Sequence, residues 1–290
     1  MADQKEQETS VFTEEVIKEV IFRVHRFSPD DGKPPRMQDY KVPVKRGMTV
    51  LDGLHYIRDN LDSTLSYRFS CRMAICGSCG MFINNLPRLA CKTQILELEA
   101  DTIEVKPLPN YEVIKDLVPD LSDFFEKHRS VMPYLIREEE EEKIDPPTNE
   151  FLQTPDELER FLQFAYCTKC GLCLAGCPTV ATDKVFLGPM ALAQAFRYNS
   201  DTRDQGFEKR LELLCVPEGP WRCHFAGSCS EVCPKGVDPA LGVQLLKGQI
   251  VFTKLGLKKP HKIAPLATEK PEAKRRPGIP EAPPRTVKKE

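Results

Sequence analysis

Val20, Phe22 and Val24 alternate with Ile21, Arg23 and His25, and the stretch as far as Phe27 is rich in β-formers. A period of two among such residues predicts a strand. A second strand is expected over about Met37 to Val44. The period then changes: Val50, Leu54, Ile57 and Leu61 recur at helical spacing, and Thr49 with Asp52 supplies a capping signal in front of them. A cysteine-bearing loop follows, and short strands are expected at Met81 to Ile83, Arg88 to Cys91 and Thr102 to Val105. This order, over residues 16–110, predicts a small mixed sheet packed on one helix and suits a β-grasp fold.

From Tyr111 to about Ile136 the apolar spacing is helical, until the run Glu138 to Glu142 and then Asp145, Pro146 and Pro147 break it. Residues 111–150 therefore read as a helix and a solvated acidic linker. Beyond them, 151–257 read as all-helical. Thr154, Pro155, Asp156 and Glu157 combine an N-cap, a first-turn proline and a capping-box acid, and Gly188-Pro189 and Asp238-Pro239 repeat the proline signal. The fold class expected is α+β, with the sheet unit first and the helical unit second.

At 290 residues the chain is long enough for two modest domains, each with its own core. A formal charge of −2 gives no argument for nucleic acid, but it conceals an uneven distribution. Residues 258–290 carry ten Lys or Arg against four Glu, a net of +6, with seven prolines and little apolar content. That leaves about −8 for the rest of the chain, so this tail reads as a disordered basic appendage. No run approaches the roughly 18 apolar residues of a spanning helix. The polar start, residues 1–15, lacks the basic end and apolar stretch of a secretory signal, which predicts a reducing cytosol. Twelve cysteines there point to metal rather than disulfides.

Cys71, Cys76 and Cys79, with Cys91 further on, form the C-x4-C-x2-C spacing of a plant-type 2Fe-2S site. Gly77, Ser78 and Gly80 let the backbone wrap closely and aim amides at the sulfides. The alternative is a structural zinc site, which favours paired knuckles over three cysteines in one wrap.

Cys167, Cys170, Cys173 and Cys177, followed by Pro178, form the bacterial ferredoxin run, in which the fourth cysteine serves the other cluster. Cys223, Cys229 and Cys233-Pro234 supply the partner run. The exchange groups Cys167, Cys170, Cys173 and Cys233 around a 4Fe-4S cluster. Cys177, Cys223 and Cys229 are left for the other. Its middle position is Ala226, and a corner iron without a thiolate tends to be lost, which predicts 3Fe-4S. Cys215 remains, either a free thiol closing the helix LELLC or a fourth ligand that restores 4Fe-4S. His224 reads as a loop residue or a polar group at a second ligand's site, and Lys247 by default as solvated.

The stretches SYRFSCRMAICGSCGMFINNLPRLACKT, CTKCGLCLAGCP, FLGPMALAQAFRYNSDTRD and CHFAGSCSEVCPKGVDP closely resemble the iron-sulfur subunit of the succinate dehydrogenase and fumarate reductase family, over about residues 16 to 254. The resemblance implies an FAD-bearing flavoprotein partner, where succinate and fumarate interconvert, and a membrane anchor with quinone and sometimes haem b. It implies a place at the cytoplasmic face of the cell membrane and no substrate site on this chain. Positions matching quinone contacts are Pro178, His224 and Lys247. The family's aromatic residue after the fourth cysteine of the first ferredoxin run is replaced by Thr179-Val180-Ala181. The 2Fe-2S loop is nearer in wording to fumarate reductases, whereas His224 is similar to many succinate dehydrogenases. Three rivals stand beside this reading: a soluble multi-cluster ferredoxin carrier, the iron-sulfur subunit of another quinone-linked dehydrogenase, and a zinc-stabilised scaffold.

Overall fold

The computed structural model describes residues 15–137 and 150–257, together with the backbone of 266–267. β1 (Val16–Arg26) buries Val20, Phe22 and Val24 on one face. It pairs antiparallel with β2 (Arg36–Lys45), which adds Tyr40, Val42 and Val44 to that face. α1 (Val50–Asn60) starts on a complete capping box between Thr49 and Asp52 and buries Val50, Leu51, Leu54 and Ile57. Its approach to the sheet requires a glycine, because a Cβ on Gly53 would stand 2.4 Å from Phe22 Cζ. Leu61, expected on the apolar stripe, instead ends the helix as its C-cap and is 49% exposed.

β3 (Gly80–Ile83), β4 (Leu86–Leu89) and β5 (Thr102–Lys106) complete a five-stranded mixed sheet in the order β2-β1-β5-β3-β4, in which β5 runs parallel to β1. The fourth strand lies two residues earlier than expected. Cys91 is withdrawn from the ladder and its amide turns to Cys79 Sγ instead.

The long helix expected from Tyr111 to Ile136 is a correction. β6 (Val113–Lys115) and β7 (Val118–Pro119) form a hairpin, and only α2 (Ser122–Ser130) is helical. Asp116 turns the hairpin with φ at 46°. Its carboxylate accepts from Arg26 Nε at 3.0 Å and from the amides of Phe27 and Ser66 at 2.9 Å each. Tertiary bonds to a residue 90 positions away override the local periodicity. Arg26 also reaches Tyr40, Asp62 and Thr64, so one buried guanidinium ties both first strands to the segment that leads into the first cysteine loop.

The second unit is built from helices: α3 (Pro155–Glu159), α4 (Leu162–Ala165), α5 (Leu172–Ala175), α6 (Pro178–Thr182), α7 (Pro189–Asn199), α8 (Phe207–Leu214), α9 (Ser228–Glu231) and α10 (Pro239–Lys254). Phe164, Leu192, Phe196, Val243, Leu246 and Ile250 form its core. Leu172 and Ala175 of α5 instead join the core of the sheet unit, so the two units meet at this helix. One departure from an all-helical second half is β8 (Glu150–Phe151), which pairs with β9 (Leu266–Ala267) inside the segment expected to be disordered. The run Glu138 to Glu142 and the remainder of the tail lie outside the described residues.

Candidate metal centres

The first cysteine loop coils inward because Arg72 and Ala74 both adopt φ of 57° and Gly77 adopts 74°. The result is a cage of amides around sulfur. Backbone N–H groups of Cys71, Met73, Ala74, Ile75, Cys76, Ser78 and Cys91 lie 3.2 to 3.5 Å from the Sγ atoms of Cys71, Cys76, Cys79 or Cys91. Burial alone would raise the Cys76 thiol, but bonds from Cys71 and Ser78 outweigh it and bring it down to about 6. Burial pushes Cys79 up to about 12. Phe69, just ahead of the loop, stacks edge-on against His55 at 4.6 Å and carries Arg58 and Arg72 over its ring.

Cys167, Cys170, Cys173 and Cys233 line one small cavity between α5, α7 and α10. Burial raises the thiols of Cys167, Cys170 and Cys173, Cys170 to about 11 and Cys173 well above its usual range. Cys177, Cys223 and Cys229 line a second cavity, together with Pro178 and Ala226. The two runs are built alike. Lys169 and Gly171, flanking Cys170, have φ of 53° and 82°; Phe225 and Gly227, flanking Ala226, have 58° and 81°. A four-residue helix follows in each case, so Ala226 occupies the place of Cys170. Cys215 caps α8, packs beside the helical core and does not line the second cavity.

Among the described residues no three His, Cys, Asp or Glu side chains are grouped for a single metal ion. The fit to a multi-iron group rests on the donor chemistry. Burial raises Cys79, Cys167, Cys170, Cys173 and Cys229, and a bound cationic centre would offset that cost and stabilise their thiolates. Amides aimed at sulfur then add to that stabilisation.

The residues read as quinone contacts lie around the second cavity. Pro178 opens α6 and is exposed, and His224 is exposed beside Cys223. Lys247 is half-buried next to Val243, Leu246 and Ile250, and its Nζ donates to the carbonyl of Cys223 at 3.0 Å. Gln244 Nε2 stands 4.0 Å from Cys223 Sγ. Trp221 was not singled out from sequence; its ring centroid lies 6.0 Å from Lys247 Nζ and the residue is 51% exposed. Its signal was available, as the only tryptophan of the chain, two residues before a cysteine.

A family described as a 2Fe-2S iron-sulfur cluster binding domain matches residues 21–126, and one described as a 4Fe-4S dicluster domain matches residues 163–237. The fumarate reductase iron-sulfur subunit of Mycobacterium tuberculosis is 48% identical over 230 residues, covering 79% of this chain and 91% of that one. The succinate dehydrogenase iron-sulfur subunit of Paracoccus denitrificans is 38% identical over 232 residues, covering 79% and 87%. Among solved structures, a chain of the Mycobacterium smegmatis Sdh1 complex in the apo form aligns with a TM-score of 0.69 at 28% identity, covering 82% of this chain and 97% of that chain.

Proposed function

The chain belongs to the iron-sulfur subunits of fumarate reductases and succinate dehydrogenases, and on that premise we propose that it relays single electrons between an FAD-bearing flavoprotein and quinone at a membrane anchor. It is the electron-transfer subunit of an oxidoreductase complex, and the substrate carbon chemistry belongs to the flavoprotein. We read the sheet unit, residues 16–110, as a β-grasp plant-type ferredoxin domain. Residues 111–150 connect it to a bacterial-type two-cluster domain over 151–257. Cys71, Cys76, Cys79 and Cys91 would hold 2Fe-2S; Cys167, Cys170, Cys173 and Cys233 would hold 4Fe-4S; Cys177, Cys223 and Cys229 would hold 3Fe-4S. When bound, each cluster takes up and releases one electron without a change of ligands.

The chain's own residues insulate and position. Seven amides donate to the first four sulfurs, and α7 and α10 help wall the second set. Lys247 holds a positive charge at the third set, where a quinone carbonyl would gain negative charge; Pro178 lines that cavity and His224 follows Cys223 in sequence. A diffusing carrier has no need of apolar surface at its redox sites. Here Met73 and Ile75 are 69% and 53% exposed on the first loop, and Phe225 is 59% exposed beside the third site. This pairing of apolar surface with both flanking centres supports docked partners at each. No helix among the described residues is long and apolar enough to cross a membrane. Attachment at the cytoplasmic face through the anchor subunit fits the family.

The test is purification of the intact complex from membranes with mild detergent. A flavoprotein and an anchor chain should co-purify, with about nine iron and about ten acid-labile sulfide per copy of this chain, the sum of the three cluster types. Stoichiometric zinc with little iron would overturn the reading.

A further inference from the structure

The surface between the sheet unit and the helical unit carries side chains that the relay does not use as ligands. Gly77, in the first cysteine loop, lies against Cys170 so closely that a Cβ on it would stand 2.5 Å from Cys170 Cβ and 2.8 Å from Cys170 Cα. Two loops that serve different centres therefore touch with no side chain between them. The restraint on that contact comes from just beyond β5. Asn110 stands at φ of 70° and its Nδ2 donates toward the carbonyls of Leu174, Ala175 and Cys177 at 3.0, 3.1 and 3.3 Å. Leu174 and Ala175 end the four-residue helix α5, and Cys177 is the N-cap of α6, so one amide bridges the junction between the two helices. Tyr111, next in sequence, donates its hydroxyl to Gly171 O at 2.9 Å. Both side chains reach across from the sheet unit to the segment that runs from Cys170 to Cys177.

We infer that Asn110 and Tyr111 are positioning residues that set the separation between the first and second centres, by holding residues 171–177 against the sheet unit so that Gly77 stays seated on Cys170. The inference rests on the assignment of 2Fe-2S and 4Fe-4S to these two loops. The step it serves is balanced simply: one electron leaves the first centre, which is oxidised by one, and reaches the second, which is reduced by one. No proton moves and no ligand bond breaks. Electron exchange falls steeply with distance, and most steeply across gaps that no atoms fill. Side chains that hold a direct contact closed therefore govern the coupling without touching either cluster.

Two substitutions at position 110 test this in the purified complex. Asn110→Gly removes the amide while keeping a residue that accepts positive φ at no steric cost. Asn110→Asp keeps the shape but offers only acceptors to the three carbonyls. Three measurements are read together: iron and sulfide content, the midpoint potential of each centre, and enhancement of the reduced first centre's paramagnetic relaxation by the reduced second. Both variants are expected to retain content and potentials and to lose relaxation enhancement, so that the first centre's signal saturates at lower microwave power. Tyr111→Phe removes one bond of the set and should show a smaller loss of the same sign. It takes over as the deciding variant if changes at position 110 displace the second cluster. Wild-type saturation in the variants, with full cluster content, overturns the inference. A wild-type complex without the first two iron signals would instead overturn the cluster assignment, and the inference with it.

Discussion

Lys247 Nζ donates a hydrogen bond to the carbonyl oxygen of Cys223 at 3.0 Å, which ties the ammonium of α10 to the backbone of the third cysteine set. An ammonium has three donors. One is engaged here, and the proposed quinone contact would use another, beside the exposed Trp221. Lys247→Ala is expected to lower quinone-coupled turnover by roughly ten- to a thousandfold, the range for losing one positioned donor. It should also lower the midpoint potential of the third centre, because a nearby positive charge favours the reduced form. Succinate oxidation by a dye that takes electrons upstream serves as the control. Normal quinone reduction in the assembled complex would return Lys247 to an ordinary solvated lysine.

Gly53 tests the seam between α1 and the sheet. Alanine is the better helix former by about 1 kcal/mol. Against that, its methyl would stand 2.4 Å from Phe22 Cζ, and Phe22 is fully buried with little room to yield. Overpacking a core costs about 1–3 kcal/mol. The clash should win, so Gly53→Ala is expected to lower the thermal midpoint of the complex or leave it level; a clear rise would show that Phe22 can move freely.

The elements that periodicity could reveal are those whose burial follows local spacing. Val20, Phe22 and Val24 fall on one face of β1 because a strand alternates, and Thr154 with Glu157 caps α3 because the capping box is a three-residue geometry. C-x2-C spacing places Cys167, Cys170 and Cys173 on one cavity for a similar reason, whereas the exchange of Cys177 and Cys233 between the two cavities was expected from the ferredoxin pattern and not from local geometry. What escaped depends on residues far apart in the chain. The hairpin at Val113–Pro119 exists because Asp116 answers Arg26, and neither position signals the other. Tyr111 read as the start of a helix and Asn110 as the end of the sheet unit, yet their side chains serve residues sixty or more positions later. Trp221 comes near Lys247 only once α10 has folded back over the Cys223 loop.

The network around Arg26 makes a pH prediction with a definite sign. Burial would raise the Asp62 carboxyl, but bonds from Thr64, Tyr40 and Arg26 outweigh it and hold it below the usual carboxylate range. A depressed folded-state value contributes stability that is present above the unfolded value, near 4, and is lost as pH falls through the folded one. Asp62 therefore stays ionised throughout the range in which iron-sulfur proteins are handled. Asp62→Asn should cost about 1.5–3 kcal/mol, the range for a hydrogen bond to a charged group. The cost should be the same at pH 5.5 and pH 8. Thermal unfolding of both forms at the two pH values checks it, and a smaller cost at pH 5.5 would mean that Asp62 titrates within that window.

Ala226 provides the sharpest test of the third centre. It lines the cavity shared by Cys177, Cys223 and Cys229, and its backbone repeats that of Cys170, with left-handed residues on both sides and a short helix after it. A cysteine there would meet an environment already shaped for a ligand, as the parallel run shows, and a side chain that is now exposed leaves room for the added sulfur. Ala226→Cys should therefore let a fourth iron bind, so that iron content rises by about one per chain while sulfide stays constant. The paramagnetic signal of the oxidised 3Fe centre should disappear and a reduced 4Fe signal take its place, with a change in potential. Cys215 supplies the contrast. It packs beside the helical core and does not line this cavity, so Cys215→Ala should leave wild-type iron content and spectra unchanged. An unaltered 3Fe signal in correctly assembled Ala226→Cys would remove the missing thiolate as the reason for three irons. Loss of one iron in Cys215→Ala would place the fourth ligand there, against the position this thiol occupies at the end of α8.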